Sequence, residues 1–532
     1  MKNSVYFSLI VLLICGKVLL LPAQTIIPDA AFGNAGYNFA DFTAQMDIVY
    51  SVALQADGKV LLAGITNDPN QSDMGVVRLN TDGTFDNSFD TDGKVITDFS
   101  NAGDAAYAIA VQTDGKIVVG GTANNGLLGG SFDFAVARYL SDGSLDNTFG
   151  GNGKVVFDFQ NLNDEIRELL IQPDGKIIAV GSSISSNQAY AQMSIWRINP
   201  DGTTDFNFNN VGTVTRLPGS QERILGQTAL LQPDGGILCI GRWQTNTVDV
   251  YNLFLVRLNP DGTPDVSFDG DGDAIFNLGY IDEEVYGSAL QSDGKIVLAG
   301  RFNDGQIGDD AFVARMNANG SIDNSFGTNG FSITHLGGDF DLDNFRSVAL
   351  TGSGKILAAG YTKPQSFNEK VMLAQFNTDG TVDNAFGSGG VSFHDYSGLI
   401  SAAYDMAIQP DGKIVIGGSK SSGSIIDNSC DYLAGRFMDA TTVGMHENPT
   451  MNAISVYPNP VLKDEALLIN VQELSQGKQL EFSIFDLYGK LVNTVTVFNG
   501  IPGNSFNSLI SGVYFLKGNS EDLQHPIIFV VE

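Results

Sequence analysis

Three stretches of this chain place a cation or an aromatic ring where equivalent stretches carry small residues. They are Arg242-Trp243, Arg301-Phe302 and Tyr361, each directly after a glycine that ends an apolar run. Guanidinium groups beside aromatic faces stack on sugar rings and anchor protein partners. These five residues are therefore the candidate binding site, for an extracellular glycan or protein. The same residues would also serve as packing between repeats.

Covalent chemistry is harder to find. The four histidines are His335, His394, His446 and His525, with no metal-ligand spacing and no accompanying cysteine. Serine and aspartate are too widespread for a Ser/His/Asp set to stand out. The glycines close hairpins and do not open helices, so no phosphate-cradling loop is present. The stretches DTDG at 90–93 and DGDGD at 269–273 have the look of calcium loops. Asn101 and Tyr280 stand where the twelfth-position Glu belongs, so turn formation accounts for both. Asp41, Asp98, Asp158, Leu217, Asn277, His335 and Asp395 share one place in successive repeats. They read as turn caps, the other reading being a ring of acids that attracts cations. No catalytic residue, metal site or cofactor is expected.

The elements that position these residues come from a repeat. A Gln-x-Asp-Gly-Lys-like string recurs seven times, with Gly58, Gly115, Gly175, Gly235, Gly294, Gly354 and Gly412 spaced 57 to 60 residues apart. Such a period must be read before anything else. The unit from Gly153 divides into apolar runs at 154–159, 167–172, 176–181 and 193–199, each bounded by Gly, Asp, Asn or Ser. These are strand signals, and Asp174-Gly175 is a hairpin turn, with both residues tolerating positive φ. A connector follows: an Arg closing the fourth run, an Asp-Gly or Asn-Gly turn, then Asp86, Asp146, Asp205, Asp265, Asp323 or Asp383. Phe89, Phe149, Phe268, Phe326 and Phe386 stand three residues later. Arg and Asp are expected to pair and Phe to wedge between units.

Four strands per repeat, taken seven times, predict a seven-bladed β-propeller over 25–437. The last unit ends at Arg436-Phe437 without its connector. The missing piece stands at the other end, as Asp29, Phe32 and Gly33, so Asp29 is expected to meet Arg436 and close the ring. The pattern xDGKIxxxG…ARLNxDGSLDxxFGxxG resembles the delta-60 repeat. That resemblance implies a propeller and little about activity.

At the N-terminus, Lys2, an apolar run and Pro22-Ala23 predict a secretory signal over 1–23 with cleavage near Ala23. No later segment is long and apolar enough to span a membrane. The net charge of −31 argues against nucleic acid and anionic membrane as partners. Cys239 in an apolar run and Cys430 in a polar loop are not expected to pair.

After a polar linker at 438–452, alternating apolar residues over 453–532 predict a small β-sandwich. Tyr457-Pro458-Asn459-Pro460, Asp486 and Gly489 in FDLYGK, and Gly512 and Tyr514 in GVYF resemble the type A sorting domain of the type IX secretion system of Bacteroidota. The chain ends in HPIIFVVE, where that family usually has a lysine-containing strand. The resemblance implies type IX machinery as a partner and a product that is secreted or attached to the outer surface. The reading is thus an all-β binding scaffold. The alternatives are an extracellular hydrolase or lyase with a site near the propeller channel, and a purely structural surface component.

Overall fold

Each Gln-x-Asp-Gly stretch folds as one tight turn between two strands. In the first, the Gly58 amide donates to the Gln55 carbonyl and the Gln55 amide to the Lys59 carbonyl, both at 2.9 Å. Only the glycine is left-handed, with φ of +84° at Gly58 and 79° to 85° at its six counterparts. The aspartate, which also tolerates positive φ, does not adopt it. Asp57 instead caps the turn, accepting the Lys59 amide at 3.2 Å. The loop is a turn closed by one left-handed residue, a form in which the glycine alone needs the missing Cβ.

The computed structural model describes residues 24–440, apart from 43–44, 68–70, 101, 125–129, 217–221, 245–250, 281, 304–307, 335–341, 364–368, 397–399 and 422–429, together with strand segments between 454 and 531. The expected signal with Ala23, Leu217, His335 and most of the linker lie outside the described residues.

Antiparallel sheets follow one another along the chain. Asp104–Val111, Ile117–Asn124, Phe132–Tyr139 and Lys154–Phe157 form one, in that spatial order from inside to outside. The sheet is offset from the sequence unit by one strand. Lys154–Phe157 opens a sequence unit yet pairs with Phe132–Tyr139 of the preceding one. The inner strands pack in succession, and Ile400–Ile408 of the last sheet packs on Ile48–Leu54 of the first. The second strands, such as Ile177–Ile184, are buried over almost their whole length because neighbouring sheets cover both faces. Leu61, Met74 and Val76 of one sheet meet Ile109, Val119 and Tyr139 of the next.

The offset leaves the last sheet short of an outer strand. Tyr37–Ala40 supplies it, pairing antiparallel with Cys430–Asp439, and Ile26–Pro28 pairs with the end of the same strand. Met438 and Asp439 pair with Ile27 and Ile26. The sheet therefore runs two residues into the expected linker. Cys430 is corrected from loop to strand: it begins this strand and is buried, as is Cys239, and both thiols are free.

The connectors pin each sheet to the next. Arg78 meets Asp86 at 2.6 Å, Arg138 meets Asp146 at 2.9 Å, Arg197 meets Asp205 at 2.7 Å, Arg257 meets Asp265 at 2.7 Å and Arg315 meets Asp323 at 2.8 Å. The copy opened by Gln375 has no arginine, and Lys355 bonds Asp383 instead at 2.5 Å. Phe208 is the wedge in the copy opened by Arg197, buried like the rest, with that guanidinium 4.5 Å over its ring. Four of these wedges lie on the turn glycine of the following connector, Phe89 on Gly143, Phe208 on Gly262, Phe268 on Gly320 and Phe326 on Gly380.

The remaining unit, Ala440–Glu532, is separate. Ile454–Tyr457 pairs with Leu468–Val471. Leu491–Phe498, Gln479–Asp486, Gly512–Gly518 and Ile527–Val531 make a four-stranded antiparallel sheet. Tyr457, Asp486, Gly512 and Tyr514 lie in these strands, whereas Pro458, Asn459, Pro460 and Gly489 fall outside the described residues.

Candidate functional site

Every inner strand carries a β-bulge at the same place. The residues it leaves unpaired are Tyr50, Tyr107, Arg167, Gln227, Tyr286, Arg346 and Tyr404. A bulge bends its strand and re-aims the extra side chain. Here the re-aimed side chains converge, all of them half-buried. Tyr404 lies 5.6 Å from Tyr50, and Tyr50 lies 5.1 Å from Tyr107, between ring centres. The Arg167 guanidinium sits 4.5 Å above Tyr107. Gln227 donates to Glu284 at 3.3 Å, and Arg301 to the Tyr286 hydroxyl at 3.3 Å. Arg346 lies 3.9 Å over Tyr286, 5.6 Å over Tyr361 and 5.8 Å over Tyr404. The result is a girdle of tyrosine faces and guanidinium groups around the meeting point of the inner strands.

Most of its cations are neutralised. Arg167 pairs with Glu165 at 2.9 Å. Arg242 reaches Glu284 at 3.1 Å, and Arg301 reaches Glu284, Asp282 and Asp309 at 3.0, 3.1 and 2.8 Å. Burial favours a neutral Glu284, but Arg242 and Arg301 hold its carboxyl below the ordinary range. Arg346 differs. It donates to the Tyr361 hydroxyl at 3.2 Å, and its buried Nε has no acceptor. No carboxylate among the described residues lies within ion-pair distance of it.

One residue further along two inner strands stand Glu168 and Asp405. Glu168 takes hydrogen bonds from the Leu169 amide at 3.1 Å and the Thr228 hydroxyl at 3.2 Å. Asp405 takes them from the Val52 and Met406 amides, both at 2.7 Å, and from Ser347 and Ser51 at 2.8 and 3.2 Å. Desolvation, with the Asp405 charge added, pushes Glu168 up to about 7. Desolvation also raises Asp405.

The sequence-derived patch divides in two. Arg242, Arg301 and Tyr361 share one register, opposite Leu225, Glu284 and Asn344, and join the girdle. Trp243 and Phe302 follow them directly on the strand and so face the other way. Trp243 packs into the core between sheets and donates to Glu222 at 3.2 Å. Phe302 is 2% exposed and stacks on Tyr280 at 3.8 Å. Neither ring extends the patch, and Phe302 is corrected from surface to core. Asp98 and Asp158 do cap turns, accepting the Ser100 and Asn161 amides at 2.9 and 2.6 Å.

Sequence reasoning missed the bulge residues, although a signal was present. Each stands five positions before the first residue of its hairpin string, giving Tyr, Tyr, Arg, Gln, Tyr, Arg and Tyr.

Comparison with known families agrees with this geometry. The DUF5122 β-propeller model, a domain of unknown function, matches residues 55–89, 112–149, 172–208, 232–268, 291–326 and 352–386. The secretion system C-terminal sorting domain matches residues 455–532. No curated protein matches. Among solved structures, a streptogramin B lyase is 10% identical with a TM-score of 0.40, covering 76% of this chain and 98% of its own. The polysaccharide lyase Uly1 is 11% identical with a TM-score of 0.44, covering 79% and 98%. Sqt1 from Chaetomium thermophilum is 12% identical with a TM-score of 0.41, covering 77% and 99%. These likenesses are too distant to carry an activity across. Among the described residues no helix is long and apolar enough to cross a membrane. The chain carries DUF5122 β-propeller repeats and ends in a type IX sorting domain, which makes it a propeller protein secreted or attached to the outer cell surface.

Proposed function

We propose that this chain is a closed seven-bladed propeller, delivered by a cleaved N-terminal signal and the type IX machinery of a member of the Bacteroidota, that acts outside the cell as a binding scaffold. Its ligand, an extracellular glycan or protein, is held at the girdle of Tyr50, Tyr107, Tyr286, Tyr361 and Tyr404 with Arg346. The observation that carries this reading is the Arg346 guanidinium, clasped by aromatic faces with no carboxylate partner among the described residues. A cation kept in that state is available to a ligand anion, and the tyrosines offer flat faces and hydroxyls beside it.

The test is a glycan and protein array probed with the full-length protein and with R346Q. Selective binding that falls at least tenfold in R346Q supports the reading. Selective binding unchanged in R346Q and in Y286A removes the girdle from it. A second reading, an extracellular hydrolase or lyase, is favoured by Glu168. A carboxyl titrating near 7 beside a second acid is suited to proton transfer. Turnover of an array-positive glycan, abolished in E168Q, would select that reading over simple binding.

A further inference from the structure

Two clusters of three carboxylates recur at the joins between consecutive sheets. Asp73, Asp98 and Asp104 form the first, and Asp133, Asp158 and Asp164 the second. In each, one ligating oxygen per residue lies within 4.8 Å of the others. The members are equivalent. Asp73 and Asp133 are the second residues of Ser72–Leu79 and Phe132–Tyr139. Asp98 and Asp158 follow the short outer strands. Asp104 opens the next inner strand, Asp104–Val111, and Asp164 is the second residue of Asn163–Ile171. Each cluster therefore ties one sheet to its successor.

Clustered acids are ordinary on a chain this acidic. What distinguishes these is the innermost carboxylate. Asp104 is 1% exposed and Asp164 0%. The Oδ2 of Asp104 accepts the Phe99 amide at 2.6 Å, and that of Asp164 the Phe159 amide at 2.7 Å. The Oδ1 of each is buried and has no hydrogen-bond donor. A buried carboxylate that keeps one oxygen without a donor, and that stands beside two more carboxylates, calls for a cation.

We propose that each cluster binds one divalent cation, Ca2+ in preference to Mg2+, and that the ion joins consecutive sheets. The donor set is all oxygen and spread over three chain segments, which suits the larger, geometrically tolerant ion, with backbone or water oxygens completing the shell. A further observation fits. At the equivalent join between the last sheet and the first, the acids are Asp41, Asp47 and Asp431, and Lys420 stands 3.8 Å from Asp431. There a lysine brings the positive charge. At the next join after Asp164 the innermost place is taken by Ile224, and no site is expected.

The test is calorimetric titration of the EDTA-stripped full-length protein with CaCl2 and with MgCl2, beside thermal unfolding with and without each ion. Two Ca2+ per chain and a Tm raised by several degrees are expected. D98N and D158N each lose one ion, and the double variant loses both; these two acids are the least buried of their clusters. D57N, in an isolated turn, keeps both ions. A cooperatively folded parent that takes up no Ca2+ and shows no Tm shift overturns the proposal whatever the variants do. Two ions retained in the double variant, or a larger shift with MgCl2, overturns the assigned ligands or the assigned metal.

Discussion

Asp29 and Arg436 stand 407 positions apart and are joined at a distance within the range of the local connector pairs, with Asp29 Oδ2 2.8 Å from both Nε and Nη2 of the arginine. Lys413 adds a second cation 3.4 Å away. The pair repeats the geometry of Arg138 with Asp146, which stand only eight positions apart. The contact expected from two distant fragments of one motif is thus present, and the first and last segments of the propeller share a sheet.

R436Q removes the closer of the two cations on buried Asp29 and leaves Lys413 at 3.4 Å. It should lower stability by about 3 kcal/mol, as for other broken buried ion pairs. Chemical denaturation reads the loss. The double variant D29N/R436Q should recover part of it, since the stranded charge is gone.

Connector packing has its own test. Gly262 has a φ of +87°, and a Cβ there would sit 2.6 Å from the Phe208 ring. Gly412 has a φ of +85° with nothing within 4 Å. G412A should cost about 1–2 kcal/mol of backbone strain. G262A should cost that and about 1–3 kcal/mol more for overpacking. Equal costs would mean that the wedge phenylalanine yields freely.

Glu283 supplies a pH signature. It is fully buried, accepts the Leu278 and Tyr280 amides at 2.7 and 3.1 Å, and leaves Oε2 without a donor. Desolvation pushes its carboxyl up to about 7, with Asp282 adding to the rise. The folded pKa lies above the unfolded one, so the native state holds more protons between the two. Stability should fall as pH rises from about 4.5 to 7, by up to about 1.4 kcal/mol per pH unit. Denaturation curves across that range should show a shallower fall in E283Q.

The two propeller thiols should be silent in the native state. Cys239 is fully buried and desolvation pushes it up to about 12, while Cys430 is buried at the start of its strand. Thiolates are what react, so Ellman's reagent should label neither until guanidinium unfolds the sheets. Rapid labelling of Cys430 at native conditions would show that its strand opens locally.

The fold was legible because its signals are local and repeated. Gly58 and its counterparts mark the hairpins, and the Arg…Asp…Phe connector recurs with enough fidelity for a missing copy to be noticed at Arg436 and found at Asp29. The site was legible only in part. Arg242, Arg301 and Tyr361 broke a small-residue position and were visible. Trp243 and Phe302 broke the next position, but strand alternation sends them into the core, and a one-residue difference in facing cannot be read without the register. The bulge residues Tyr286 and Arg346 were hidden for a related reason. A bulge moves a side chain off the alternation that sequence reading assumes. The Asp98 and Asp158 clusters escaped because their partners Asp104 and Asp164 belong to the following sheet.

The strand Tyr37–Ala40 pairs with Cys430–Asp439. A ribosome making this protein releases Tyr37–Ala40 first and must add almost four hundred residues before its mate exists. Until then the nascent chain has a sticky, unmatched margin at each end, open to chaperones and to neighbouring copies. Completion is therefore an all-or-nothing event that comes late, and a truncated product lacking Cys430–Asp439 should be cleared by proteases and not accumulate as a smaller propeller.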